Sequence, residues 1–302
     1  MNVEECKHQD IRTRNKQLTR FQCYDCGKWF NDKNVPDNRY RTEVTHNIVN
    51  APKILLFDLE TAPLMAYLWG MYNQNLNIQQ IITPYFIITW SAKWLGDSKV
   101  MSDALTPEEA RKQDDYRIVK KLWELFNEAD IVIAHNAIGF DVPHSNARFL
   151  VHGLNPPKPY RVIDTLKVAR KQFNLPSNKL DYIAGVLNIE HKIETTFSLW
   201  KACMEGDQKS LDYMRHYNEK DVYILEEIYI KLRAWIKNHP NYNVYTTEND
   251  GCPVCGSKNM IRNGNYPAVV ETYPSYECQD CGSFARGGKK NSKKGGYRPV
   301  AR

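Results

Sequence analysis

Three short stretches carry carboxylates at spacings that a fold could turn into chemistry. Asp58-Leu-Glu60 closes an apolar run, Lys53-Ile-Leu-Leu-Phe-Asp-Leu-Glu60, that reads as a buried strand. Residues i and i+2 of a strand share a face, so both acids project together. Two acids on such a strand repel each other and resist desolvation unless cations neutralise them. A strand simply running out into solvent is the competing explanation. His135-Asn136-Ala-Ile-Gly-Phe140-Asp141 follows a second apolar strand and adds a third acid at a strand-to-helix junction, where an N-cap role for Asp141 competes. Tyr217-Asn-Glu-Lys-Asp221 lies in a helical stretch, where i and i+4 share a face, so Tyr217 and Asp221 reach one site.

A second kind of chemistry sits at the ends. Cys252-Pro-Val-Cys255-Gly256 and Cys278-Gln-Asp-Cys281-Gly282, twenty-two residues apart, present two pairs of thiolates, each pair followed by a glycine that permits a tight turn. Four cysteines fill a tetrahedral coordination sphere, so the expected ion is a structural Zn²⁺. The N-terminal stretch looks like a degenerate copy. Phe21-Gln-Cys23-Tyr-Asp-Cys26-Gly27-Lys-Trp29 parallels Tyr276-Glu-Cys278-Gln-Asp-Cys281-Gly282-Ser-Phe284, and Ile11-Arg12 echoes Ile261-Arg262. Cys6-Lys-His8 replaces the first knuckle, giving Cys6, Cys23 and Cys26 as expected ligands of a second Zn²⁺, with His8 the fourth candidate, whose shorter spacing leaves its role open. Cys203, the odd thiol, reads as packing.

The elements that must position these groups follow from periodicity and capping. Strands are expected over 53–60, 86–94, 99–103, 130–134 and 161–164. Thr106-Pro-Glu-Glu109 is a capping-box helix start, with the helix running to about Ala129. A helix is expected from about Val142 to His152, then helices from 178 onward, the last over about 219–237. The fold class is α/β, a mixed sheet flanked by helices, with small zinc ribbons at both ends. The expected organisation is a ribbon at 1–35, a linker at 36–52, a core at 53–238, a second ribbon at 250–285 and a basic tail at 286–302.

Together, Phe57-Asp58-Leu-Glu60-Thr61, His135-Asn136-x-x-x-Phe140-Asp141 and Tyr217-x-x-x-Asp221-Val222 resemble the three motifs of the DEDD superfamily of 3′→5′ exonucleases. The nearest flavour is the tyrosine-bearing branch that includes the proofreading domains of family B DNA polymerases. Ile163-Asp-Thr-Leu166, Asn178 to Ile189 and Tyr67-Leu-Trp-Gly-Met-Tyr72 are similar to segments of stand-alone, phage-type members. The second motif has one residue more between its Asn and Phe than the common form, which leaves Asn136's role open. The resemblance spans about 53–238 and implies a ribonuclease-H-like core. It also implies that Asp58, Glu60, Asp141 and Asp221 hold two Mg²⁺ or Mn²⁺ ions about 3.5–4 Å apart, with Tyr217 orienting the attacking water. His216 satisfies the histidine spacing of the sister branch; the Asp-Val that follows favours Tyr217. The terminal units resemble zinc ribbons of transposases and other DNA-handling proteins.

Charge and composition agree with a nucleic-acid enzyme. The net charge is +6: the tail 284–302 carries +7, residues 1–42 carry +3, and 43–283 are left at −4. Basic ends around an acidic middle suit grips on a phosphate backbone beside a carboxylate centre. Arg12, Arg14, Arg20, Arg262, Lys289, Lys290, Lys293 and Lys294 are the expected contacts, although a solvated tail or protein-docking ribbons would also account for them. No apolar run reaches membrane-spanning length and the first residues do not form a signal peptide, so the expected location is cytoplasmic, the host cytoplasm if phage-encoded. The expected function is 3′→5′ exonuclease action, with single-stranded DNA ends as the favoured substrate. An RNA-processing or structure-specific endonuclease on the same core, and a zinc-ribbon binding protein with a vestigial core, remain as alternatives.

Overall fold

The computed structural model describes residues 11–13, 20–23, 29–31, 51–73, 75–189, 195–246, 250–269 and 271–288, the first three groups by backbone alone. The chain divides into two compact units, 1–47 and 48–302. The first contains β1 (Ile11–Thr13), β2 (Arg20–Cys23) and β3 (Trp29–Asn31) in one antiparallel sheet.

The second unit is built on five strands. They are β4 (Ile54–Thr61), β7 (Ile87–Trp94), β8 (Met101–Ala104), β9 (Ile131–Ala134) and β10 (Arg161–Asp164). Between β4 and β7 stands a small two-stranded sheet of β5 (Met65–Ala66) and β6 (Ile81–Thr83). The main sheet runs β10-β9-β4-β7-β8, with β10, β9 and β4 parallel and β7 and β8 antiparallel. Its helices are α1 (Pro107–Lys112), α2 (Tyr116–Glu128), α3 (Asp141–Val151), α4 (Thr165–Gln172), α5 (Leu180–Val186), α6 (Phe197–Met204) and α7 (Gln208–Leu232). A mixed sheet with helices on both faces is the α/β class that the sequence predicts.

Alternation along β4 sorts the core into two layers. Leu55, Phe57 and Leu59 pack with Ile118, Leu122 and Phe126 of α2 and Phe149 of α3. Ile54 and Leu56 pack with Ile183 of α5 and Val222, Leu225 and Ile228 of α7. Asp58 and Glu60 share the even register, which turns them towards the α7 side of the sheet. Burying one Leu or Ile side chain stabilises by about 1.5–3 kcal/mol, so this alternation pins the register of β4 strongly.

Two helices differ from expectation. The stretch 106–129 is two helices, because Gln113 adopts a left-handed conformation (φ 58°) that ends α1. The break turns the fully buried Asp115 inward. Its carboxylate accepts from Ile87 N–H (2.8 Å), from Arg148 (Nε 2.8 Å, Nη2 2.6 Å) and pairs with His152 Nε2 (2.6 Å). A buried carboxylate so fully satisfied compensates for the interrupted helix. The Thr106 capping box with Glu109 forms as predicted. The last helix begins at Gln208, eleven residues before the expected start, with Asp207 capping it by accepting from Ser210 N–H (2.8 Å).

After α7, β11 (Met260–Pro267), β12 (Thr272–Cys278) and β13 (Phe284–Arg286) form a second three-stranded antiparallel sheet. Its register parallels that of the first unit. Gln22 faces Trp29 as Glu277 faces Phe284, whereas Ile11 faces Cys23 and Met260, not Ile261, faces Cys278. The two sheets thus share the register of their second and third strands and differ by one residue in the first.

Candidate metal and active site

The site is assembled where β4 meets α7. Asp58 and Glu60 on the strand and Asp221 on the helix bring one carboxylate oxygen each within 4.8 Å of one another. Asp221 is buried, and Tyr217, one turn earlier, is buried too. His216 is exposed and lies 3.7 Å from the Glu219 carboxylate. Asn218 was not singled out by sequence reasoning, although it stands inside the Tyr217–Asp221 stretch. It is fully buried and donates from Nδ2 to Asp58 Oδ2 at 2.6 Å, which fixes the carboxylate's orientation.

Asp141 does not belong to the cluster of three, but it is tied to its backbone. Its carboxylate accepts from the amide of Leu59, the residue between the two β4 acids. The N-cap explanation does not hold, since Phe140 occupies that position and Asp141 is the first residue of α3. Burial, with the nearby Asp164 carboxylate adding to it, pushes the Asp141 pKa up to about 7. Its Oδ2 is buried with no hydrogen-bond partner among the described residues. An oxygen-only donor set with one buried, unsatisfied carboxylate oxygen fits a hard divalent cation, which would supply the missing partner and offset the desolvation.

The turn carrying Asp141 is held by residues whose purpose the sequence left open. Asn136 adopts φ 83° and its carbonyl accepts from Gly139 and Phe140 N–H (3.0 and 2.8 Å). A Cβ on Gly139 would meet Asn136 Oδ1 at 2.5 Å, so the extra residue in this motif is accommodated by a glycine. Asp164 accepts from Asn136 N–H, Ile138 N–H and Lys167 N–H (3.2, 3.0 and 3.0 Å). His135 bridges Thr165 Oγ1 (2.9 Å) and the Asn178 carbonyl (2.8 Å). The segments around 163–166 and 178 thus brace the Asp141 turn. Beside the acids, Thr61, Pro63, Thr195, Thr196, Phe197 and Trp200 line a cleft of about 390 Å³.

A family model of the RNase_H superfamily matches residues 55–233. The chain belongs to the RNase_H superfamily. Membership agrees with the sheet order above and supports a nuclease-type activity on nucleic acid, with the acids of β4 and α7 as a place that could hold metal. No curated protein matches the chain.

The RNase_H superfamily domain is followed by a second cluster of different chemistry. The sulfurs of Cys252, Cys255, Cys278 and Cys281 lie within 4.8 Å of one another, with Cys252–Cys281 and Cys255–Cys278 at 3.7 Å. A disulfide would need about 2.05 Å. Four thiolates about 2.3 Å from one ion stand about 3.8 Å apart, so the set could hold a tetrahedral metal. The knuckles are built alike. Gly256 and Gly282 adopt φ 76° and 72° and donate to the carbonyls of Cys252 and Cys278 (2.8 and 2.9 Å). Ser283, not foreseen, places its hydroxyl 3.1 Å from the sulfurs of both Cys252 and Cys281. Tyr242 N–H donates to the Pro253 carbonyl (2.7 Å), fastening this cluster to the segment that leaves α7.

Of the expected nucleic-acid contacts, Arg262 is exposed on β11. Arg12 and Arg20 fall on β1 and β2, and Cys23 ends β2. Cys6, His8, Arg14, Cys26, Lys289, Lys290, Lys293 and Lys294 lie outside the described residues. Among the described residues no helix is long and apolar enough to cross a membrane.

Proposed function

We propose that this chain is a divalent-metal-dependent 3′→5′ exonuclease acting on single-stranded DNA ends. The observation that carries the reading is the convergence of Asp58, Glu60 and Asp221 beside a buried Asp141 with an unsatisfied oxygen. Mg²⁺ or Mn²⁺ bound there would acidify a water and stabilise charge on the attacked phosphate and the departing 3′-oxygen. Asp58, Glu60 and Asp221 would hold the first ion. Asp141, set outside that group, suits the second, which in two-metal sites lies about 3.5–4 Å away. Asn218 keeps Asp58 in position, and Tyr217, on the buried face of α7, orients the attacking water. His216 faces solvent and takes no part. Polarity and the preference for DNA rest on the motif resemblance.

In the same reading the Cys252–Cys281 cluster is a structural zinc ribbon, since four sulfurs leave no open position. Cys6, His8, Cys23 and Cys26 form its N-terminal counterpart, consistent with the shared register of the two sheets. Arg286 stacks over Tyr273 at 4.6 Å on the C-terminal sheet, placing cation and ring together as contact with a single strand requires.

The test uses 5′-labelled and 3′-labelled single strands of DNA and RNA, with Mg²⁺, Mn²⁺ or EDTA. A metal-dependent ladder shortening from the 3′ end, faster on DNA, is expected. Cleavage that survives EDTA, or cutting of a closed circular strand, would overturn the assignment.

A further inference from the structure

The segment that joins the acidic strand to the next strand of the sheet is unusual in what it exposes. Ten of the 26 exposed large hydrophobic side chains among the described residues lie between Leu64 and Ile82, a concentration that ordinary surface scatter does not produce. Trp69 is 94% exposed, Met71 84%, Tyr72 78% and Tyr67 73%. The base of the segment is firmly built. Tyr67 N–H donates to the Gln80 carbonyl and Gln80 Nε2 donates to the Tyr67 carbonyl, both at 2.9 Å. Asn77 and Gln80 form a reciprocal capping box around the 3-10 turn Ile78–Gln80. Hydrogen bonds therefore hold the backbone at the base of the segment while most of the area of the rings is exposed.

Three features bear on what covers those rings. No Asp, Glu, Lys or Arg occurs between Glu60 and Lys93, and the exposed rings are followed directly by an amide-rich run from Asn73 to Gln80. In a stretch, 43–283, whose net charge is −4, this uncharged strip is where a polyanion meets no like charge. The strip is also continuous with the acids: Thr61 and Pro63 line the cleft beside them, and Leu64 opens the segment. Aromatic faces with amide donors and acceptors, and without charge, match unpaired nucleobases and not a phosphate backbone.

We infer that the Tyr67–Tyr72 segment is a stacking platform for unpaired bases of the substrate strand. The inference rests on the proposed nuclease site and adds to it how the strand is selected. Bases in a duplex have their faces occupied, so the platform favours single strands. Trp69 and Tyr72 supply the stacking faces, and the acids see only the strand's terminal phosphodiester.

The experiment compares the full chain with the Trp69→Ala/Tyr72→Ala variant, and with Trp69→Phe/Tyr72→Phe, which keeps both rings. Binding of a 20-nucleotide single strand, the same strand built of abasic residues, and a blunt duplex is measured without chelator and with Ca²⁺ as the only divalent ion added, so that cleavage does not intervene and the sulfur cluster keeps its metal. The alanine variant should bind the ordinary strand about tenfold or more weakly. It should match wild type on the abasic strand and the duplex, and the phenylalanine variant should stay within about threefold of wild type. Equal binding of the ordinary strand by wild type and alanine variant, or an equal loss on the abasic strand, would overturn the platform. In the former case the patch is better assigned to a protein partner. A wild type that cleaves nothing in Mg²⁺ or Mn²⁺ yet shows the base-dependent difference would sink the nuclease reading and leave the platform standing.

Discussion

Asn218 and Asp58 stand 160 residues apart and meet only because α7 packs against β4, whereas Cys252 and Cys281 stand 29 apart and meet through two tight turns. The acidic cluster is made of oxygens, with Asp58 and Glu60 partly open to solvent. The four sulfurs of the second cluster would by themselves fill a tetrahedral sphere, and its neighbours Ser257 and Ser283 are buried. An open set of hard donors leaves positions for water and a phosphate; a closed set of thiolates leaves none. The first arrangement is suited to turnover and the second to holding a short chain together.

That contrast is sharpest in a direct substitution. Asp221→Ala should lower cleavage by about a thousandfold or more, since losing an ion forfeits several kcal/mol of charge stabilisation. Its melting temperature should stay near that of wild type, because the removed group is, on the proposed reading, a metal ligand and not core packing. Near-wild-type cleavage by this variant would erase the distinction between the two clusters.

A smaller effect separates Tyr217 from its neighbour. Tyr217→Phe should reduce kcat by about tenfold to a hundredfold with little change in KM, the pattern of a group that positions a reactant in the transition state. His216→Ala should be indistinguishable from wild type. The reverse pattern would place the protein with histidine-using enzymes and make the buried tyrosine a packing residue.

The least effect on chemistry is expected from the sulfurs. Cys278→Ser should release the metal of that cluster and unfold 250–288, read as lost zinc content and protection from proteolysis. Turnover of a short, saturating oligonucleotide should change by less than about threefold. If turnover collapsed with the zinc, the sulfur cluster would belong to the active site after all.

Local signals predicted most of the fold and failed where distant groups intervened. The alternation of β4 and the Thr106 capping box are sequence-local, and both appear as read. The break at Gln113 is not local: it is explained by Asp115 finding Ile87, Arg148 and His152, partners up to 37 residues away. The early start of α7 has a local signal, Asp207 accepting from Ser210 N–H, but the apolar periodicity is clearer further along the helix.

By itself, the sequence determined which residue types could do chemistry and which share a face: i and i+2 on a strand, i and i+4 on a helix, C-x-x-C followed by glycine. These are consequences of backbone geometry over a few residues. Only the tertiary structure decided that three acids meet while Asp141 is tied to Leu59 through its amide. It also decided that Asn218 orients Asp58, that Asp164 and His135 brace a turn, and that the rings of 67–72 face solvent. Each of these depends on which surfaces pack across the sheet, and burial and electrostatic environment are properties of that packing, not of any stretch of chain.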